Sequence, residues 1–486
     1  MQQERDREDS RCRWGGEGSV VWSSIENLFK IPELKKRIMV TLGLLALYRV
    51  GFSIPIPGVR LQEFLDLRGA TDLATGGILG FVQQIGAITG GDWLGGSLFS
   101  LGIMPYISAS IIFSLLQKIV PSLEQMAKEG EAGQQKLNQY SRYLTVALCL
   151  VQSIFIYKTL PRGPGALLPA DAWGMSVFLT LFISLTGGTI LIMWLGERIT
   201  EYGIGNGISM IIMAGIIARM PRAAGNILSH YFINPEPTSG RTPEMGVLLT
   251  GGLILGYVLM VMAVVFITQG TRKIAIQQAK HVRGSRVYGG QRSYLGLRVN
   301  QAGVMPVIFA SPVMGLVGGV LADSIIRALI GHHGLHVDVL NLIFGNLKPG
   351  AVFYVMVEAG LIFFFSYFWT ALYFNPAETA KNIKEYGSFI PGIRPGKNTS
   401  DYLEKIMNRV TLGGAAFLTV IAILPMMLSM VLKVDYIVVT FLGGTGILIV
   451  VGVALDIVQK LEAHLVMRHY DGFLGAGRRR IKGRRR

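Results

Sequence analysis

The chain has 486 residues, of which 51% are hydrophobic and only 16% charged. That balance excludes a soluble protein of two or three domains and fits a polytopic membrane protein. The formal net charge of +16 falls mainly in short segments between apolar runs, which places it on the cytoplasmic side of a membrane and favours a membrane-associated or ribosomal partner over free nucleic acid. Cys12 and Cys149 lie far apart without metal-ligand spacing, so neither a disulfide framework nor a zinc site is implied.

Residues 1–30 begin polar and charged (RDREDSRCR). They read as a disordered cytoplasmic tail, because no apolar run follows closely enough for a cleaved signal peptide. IPELKKRI (31–38) is an amphipathic lead-in whose Lys35, Lys36 and Arg37 hold the N-terminus inside. Span one is expected over 38–56, followed by a polar external stretch, 57–75. Residues 76–100 are apolar but broken by many glycines. At about 1 kcal/mol per glycine, they form either a short helix that is displaced cheaply or an ordinary external loop.

Span two is expected over 98–119, then a cytoplasmic loop with Lys118, Lys128, Lys136 and Arg142. Spans three and four (141–160 and 173–196) flank the Pro/Gly turn 161–172. GIGNG (203–207) lacks the Lys and preceding strand of a phosphate loop and reads as a flexible turn. Spans five and six are expected over 207–227 and 245–268, separated by an external loop. Loop 270–298 carries seven Lys and Arg and no acid, and its alternating ends predict two strands paired as a projecting hairpin. Span seven is expected over 299–328. His332, His333 and His336 read as exposed loop histidines rather than metal ligands. Span eight (351–374) is dense in Phe and Tyr. A basic, turn-rich loop (375–408) and spans nine (409–431) and ten (437–458) follow. The end, GRRRIKGRRR, is a cytoplasmic run suited to anionic lipid or ribosomal RNA.

One ten-residue phrase occurs twice: LGIMPYISAS (101–110) and AGVMPVIFAS (302–311). A Gly/Pro-interrupted apolar segment at corresponding places in two halves marks the centre of a membrane transport protein. Ten spans divide into five and five. Five is odd, so the second half enters the membrane inverted, and the fold expected is all-α, with two inverted five-helix halves around a central pore. The halves are 31–230 and 231–460, with 461–486 as a basic tail. Ile103 and Ile107 share one face of span two, Ile208 and Ile212 one face of span five, and Ile308 repeats Ile107. A ring of branched aliphatic side chains seals by excluding water and has no charge to select a solute. No coupling carboxylate cluster is evident, since Glu358 and Asp456 read as isolated or near span ends. No nucleotide-binding motif is present either. The chain therefore reads as no enzyme, with no catalytic residue, metal or cofactor.

GFSIPIPG (51–58), LGIMPYISASII (101–112), MWLGERITEYGIGNGIS (193–209), VNQAGVMPVIFAS (299–311), FNPAETAKN (374–382) and GSFIPGIRPG (387–396) together resemble the SecY family. Members of that family are central subunits of protein-conducting channels, and the likeness runs from about residue 25 to 470. It implies that 76–96 is a plug closing the external funnel, and that Ile103, Ile107, Ile208, Ile212, Ile308 and Ile449 form the pore ring. It implies that spans two and seven form a lateral gate, with Ser108, Gln152 and Asn300 at polar gate positions whose hydrogen bonds hold it closed. Without the resemblance Asn300 reads as a helix cap. Loops 270–298 and 375–408 would dock the ribosome or the motor ATPase SecA through Arg283, Arg286 and Arg394. Ser285 stands where the family usually has an arginine before Arg286. The partners implied are SecE, SecG, SecA, the ribosome, precursors bearing signal peptides, and anionic membrane lipids. Two other readings are an ion-coupled transporter, which requires an ionisable mid-membrane site, and a ribosome receptor without conduction, which leaves the repeated phrase unexplained.

Overall fold

A backbone in lipid must satisfy its own hydrogen bonds, and the apolar runs accordingly fold as helices. The structure, a computed structural model, describes residues 32–58, 96–159, 174–227, 243–278, 281–283, 286–288, 292–315, 351–432 and 444–476. The proposed plug, the N-terminal tail and the three loop histidines lie outside these. Helix α1 is Pro32–Gly51, so the lead-in and span one are a single helix. It stops short of the expected 56 because Pro55 and Pro57 cannot continue it. Pro55 instead bridges Ser97, with Ile56 N donating to Gly96 O at 2.9 Å and Leu98 N to Ile54 O at 2.8 Å. The two ends that bound 59–95 are therefore side by side.

Helix α2, Met104–Ile119, begins later than predicted. Its first turn is preceded by Gly102 in the left-handed region (φ 58°) and carries Pro105, which suits a helix start. Val120 is extended and Pro121 opens α3, Pro121–Lys128, which bends away from α2 by 101°. The expected loop thus contains a helix, and α4 runs Glu131–Thr159. Helix α5, Met175–Tyr202, leads into the GIGNG turn, which is pinned rather than flexible. Arg37 donates to Gly203 O at 3.5 Å, Ile204 N to Thr41 Oγ1 at 3.2 Å, and Gly207 N to Thr200 Oγ1 at 2.9 Å. Asn206 caps α6, Gly207–Ile217, by accepting from Ile208 N and Ser209 N. A short α7, Met220–Ile227, follows.

The second half opens with α8, Pro243–Gln269. Loop 270–298 is the predicted hairpin: β1, Thr271–Gln278, pairs antiparallel with β4, Arg292–Arg298, and β2, His281–Arg283, with β3, Arg286–Tyr288. Helix α9, Met305–Gly315, carries the second phrase. Helix α10 is Val352–Tyr373, and α11 is Pro376–Glu385, capped by Asn375. Strand β5, Ser388–Phe389, adds to β1. Helix α12, Lys397–Leu432, starts inside the expected loop 375–408. Helix α13, Gly444–Ala476, extends into the expected basic tail. Among the described residues the departures from all-α are two small sheets, β4-β1-β5 and β2-β3, and the Pro55–Ser97 bridge. Five described helices are long and apolar enough to cross a membrane, or six if α2 and α3 count as one broken span.

Packing follows the repeat. In the first half α2 packs on α4, α4 on α5, α5 on α6 and α1 on α6. In the second, α9 packs on α10, α10 on α12, α12 on α13 and α8 on α13. These are corresponding pairs under the five-and-five division. The phrases also match in backbone: Gly303 takes φ 64° where Gly102 takes 58°. In each copy the helix starts at the Met two residues later, and Ile107 N and Ile308 N bond back to Ile103 O and Val304 O at 3.1 and 3.2 Å. Core packing is close where α5 crosses α6, since a Cβ on Gly207 would overlap the carbonyl oxygen of Gly196. A Cβ on Gly303 would meet nothing within 4 Å.

These two glycines separate backbone strain from steric overlap. Gly303→Ala is expected to cost about 1–2 kcal/mol, through the left-handed backbone alone. Gly207→Ala forces α5 from α6 and should cost more, about 3 kcal/mol. Thermal unfolding in detergent would check the order, and equal losses would contradict it.

Candidate functional site

Four of the six ring isoleucines come together. Ile103 is buried, and Ile107, Ile208 and Ile212 pack half-exposed on the same cluster, with Ile192, Leu195, Ile199 and Ile211 of the first half. The spacing on α6 explains 208 and 212, which lie one turn apart on one face. Ile103 precedes α2 but stays in line with Ile107 through their backbone hydrogen bond. Behind it, Tyr48 stacks on Phe99 and Phe52 meets both edge-on, with centroids 5.2–6.1 Å apart. Ile449 is buried at 3% on α13 and Ile308 is half-buried on α9. These two do not join the four among the described contacts. Helix α13 nevertheless reaches both sides: its Val453 and Ile457 pack on the first cluster, while Ile447, Leu448 and Val451 join a second with Val307 and Ala310. The centre is therefore apolar and made from both halves.

Two contacts between the halves stand out among the described residues. One is the packing of α6 against α13, where a Cβ on Gly446 would lie 3.5 Å from Ile216. The other joins the two phrase helices. There Ile111 is buried with Ala302 and Trp369, and Ile107, Leu115, Met305, Phe309, Phe365 and Leu372 pack around them. Trp369 is the anchor, with ring centroids 5.4 Å from Phe309 and 5.6 Å from Tyr373. No hydrogen bond crosses from α2 to α9 among the described residues. The three polar gate residues are not brought together. Ser108 is half-buried on α2, and Gln152 on α4 has a buried carbonyl oxygen without a hydrogen-bond partner. Asn300 is no cap, because α9 begins at Met305. It lines a small cavity of mixed polarity with Ser366, Thr370, Thr411 and Leu418 instead.

The described parts of loops 270–298 and 375–408 form one platform. Strands run in the order β4-β1-β5, and Ile274, Leu297, Ile390, Leu403, Ile406 and Met407 give it a core. Arg283 pairs in register with Arg286 across the tip of the β2–β3 hairpin, so two arginine positions sit opposite each other where Ser285 left one missing. Arg394 is exposed on a turn between Gly392 (φ 84°) and Gly396 (φ 110°). Thr399 Oγ1 donates to its carbonyl oxygen at 3.0 Å. On nearby α3, the hydrogen bond from Lys128 holds the Glu124 carboxyl below its ordinary range.

Sequence reasoning missed the third strand, because β5 is only two residues long. It missed Trp369 as well, although the aromatic stripe at 365, 369 and 373 was a usable signal. Two acids also need correcting. Asp456 is not isolated, since it pairs with Lys460 at 2.7 Å. Glu358 is not isolated either: it is buried at 4% within α10 and has an interaction partner.

Fold and site together define a multi-pass membrane protein of two repeated halves, closed by an apolar centre and an apolar seam. Comparison with known proteins makes this specific. The SecY family model matches residues 97–458. The protein translocase subunit SecY of Thermotoga maritima is 39% identical over 467 residues, covering 96% of this chain and all of the relative. That of Escherichia coli K12 is 39% identical over 447 residues, covering 91% and 94%. A solved structure described as a protein-conducting channel has a TM-score of 0.54 at 19% identity, covering 94% of this chain and 99% of its own. The chain belongs to the SecY family.

Truncating Trp369 tests the seam. Trp369→Ala should lower stability by about 3–5 kcal/mol, read as thermal unfolding in detergent. Trp369→Phe should recover most of the loss, and a silent alanine variant would remove Trp369 from its anchoring role.

Proposed function

We propose that this chain forms the channel of a protein translocase. It passes unfolded polypeptides across the bacterial cytoplasmic membrane and releases apolar segments sideways into lipid. The observation that carries this is the apolar centre around Ile103, Ile107, Ile208 and Ile212, together with a seam between α2 and α9 made of apolar side chains. An apolar constriction holds back water and ions by dewetting, yet grips no particular sequence. Ile308 and Ile449 complete the ring as the channel opens or fills. The seam sorts by partition. A charged residue at mid-membrane costs about 3 kcal/mol and a Leu returns about 0.5 kcal/mol, so one charge cancels roughly six leucines.

In this reading the halves 31–230 and 231–460 are the two sides of the gate, and 76–96 is the plug. Ser108, Gln152 and Asn300 line the gate and tune its polarity. Both termini are cytoplasmic, and the platform faces the cytoplasm, where Arg283, Arg286 and Arg394 dock SecA or the ribosome. A solved yeast Ssh1 complex bound to the ribosome shares the fold, with a TM-score of 0.56 at 12% identity, covering 87% of this chain and 89% of its own. SecE and SecG are the companion subunits, and precursors with signal peptides are the cargo. The chain performs no catalytic step, so the driving force comes from its partners.

Disulfide trapping tests the path. Cysteines replacing Ile208 or Ile212 should crosslink to a cysteine in a stalled precursor in SecA-driven vesicles, while a cysteine at exposed Leu191 on α5 should not. Efficient export with no crosslink at either ring position would remove the pore assignment. In the same vesicles Arg394→Ala should slow SecA-driven export at least about tenfold, the scale set by losing one charge-assisted docking contact, with unfolding temperature unchanged.

A further inference from the structure

The turn between β4 and α9 lies against α10 and α12. A Cβ on Gly414 of α12 would overlap the carbonyl oxygen of Val299, so glycine lets the turn approach α12 this closely. Beside that contact, residues 299–302 of the turn enclose a cavity of about 10 Å³ with Ser366 and Thr370 of α10 and Thr411 and Leu418 of α12. Ser366 and Thr370 stand one turn apart, and Thr411 and Leu418 two turns apart, so each helix presents one face to the cavity. Thr370 is 7% exposed and Thr411 5%, and neither Oγ1 has a hydrogen-bond partner.

A buried helical Ser or Thr has a cheap way to satisfy its hydroxyl, which is the carbonyl one turn back. Two neighbours take it: Ser366 Oγ donates to Ile362 O at 2.7 Å and Thr419 Oγ1 to Ala415 O at 2.9 Å. Thr370 and Thr411 leave that bond unmade on the same two helices. Ser366 Oγ has already donated but keeps accepting capacity. Three hydroxyl-bearing side chains thus line one volume, and that volume is about the smallest that admits a single water. No charged side chain lines it, so the charge of a bound ion would go uncompensated. Water is neutral and offers two donors and two acceptors, which match two free hydroxyls and a third that can only accept. We propose that this cavity holds one ordered water, which bridges Thr370 and Thr411 and ties the turn that starts α9 to α10 and α12.

Radiolytic labelling tests it without any translocation readout. X-ray pulses turn a bound water into a hydroxyl radical where it sits, and the radical oxidises the nearest side chain. The full chain would be irradiated in lipid nanodiscs and oxidation read residue by residue by mass spectrometry. Leu418 is 1% exposed and Leu448 2%, and both belong to one apolar cluster, so radicals from bulk solvent reach neither. Only Leu418 of the two lines the cavity. Leu418 should be oxidised well above Leu448 in the parent protein, and should fall to the level of Leu448 in the double variant Thr370→Val, Thr411→Val. Thr411→Ser keeps the hydroxyl and should keep the labelling. Equal oxidation of the two leucines in the parent would overturn the proposal, and this comparison stands even where the double variant does not fold. Undiminished labelling of Leu418 in a folded double variant would overturn it too, since the hydroxyls would then hold nothing. So would an unfolding temperature that rises when sodium or potassium replaces choline at constant ionic strength and no longer does so in the double variant, because the ligand would then be a cation. Labelled Leu418 alongside failed pore crosslinking would leave this inference standing and the channel reading fallen.

Discussion

Between membrane helices there is no hydrophobic driving force, because lipid tails are as apolar as leucine. The junction of α2 with α9 depends on this. Ile111, Ala302 and Trp369, with their apolar neighbours, hold it by packing alone among the described residues. An apolar helix entering from the pore would offer the same kind of contacts, so replacing one by the other costs little. The opposite junction differs. There α13 lies along α6 and reaches the GIGNG turn, with Ile457 near Gly205. That turn is itself tied to α1 by Arg37 and Thr41. This junction too is packed, but it is packed against a turn that is itself braced within the first half.

The repeated phrase gives that geometry its local form. In each copy a left-handed glycine ends one turn, and a Met-Pro pair starts a helix. Proline is tolerated there because the first-turn N–H has no intrahelical acceptor. Each phrase helix therefore starts sharply at a fixed point, and it places Ile107 and Ile308 at the same register behind that start. Inversion of the second half then brings two such starts in from opposite faces, so the helices run past each other and meet along their sides.

Much of this was legible in advance. Span positions, the hairpin and the repeat follow from hydropathy, alternation and spelling, which depend on local composition. What was illegible depends on partners distant in sequence. Pro55 and Pro57 show locally that α1 must stop, but no local pattern shows that Pro55 pairs with Ser97. The start of α12 at Lys397 is polar on its outer side, so it reads as a loop until Leu403, Ile406 and Met407 are seen to pack under β1 and β4. The ring was half legible: the i, i+4 pairs in the first half identify one face, but the relation of Ile308 and Ile449 to that face depends on how α9 and α13 lie. The polar gate positions came from resemblance alone, and their side chains stand apart here because α4, α2 and the turn before α9 present them to different neighbours.

The platform carries the argument one step further. Strand β1 follows α8 after a single residue, Gly270. Strand β4 leads through the Asn300 turn into α9, and α12 continues from the platform core to Leu432 without interruption. A partner pressing on this sheet therefore pushes directly on α8, α9 and α12, all in the second half. In the first half Arg142 pairs with Glu197 at 2.7 Å, on helices that contribute no strand to the sheet. Force applied at the platform thus enters through the helices of the second half.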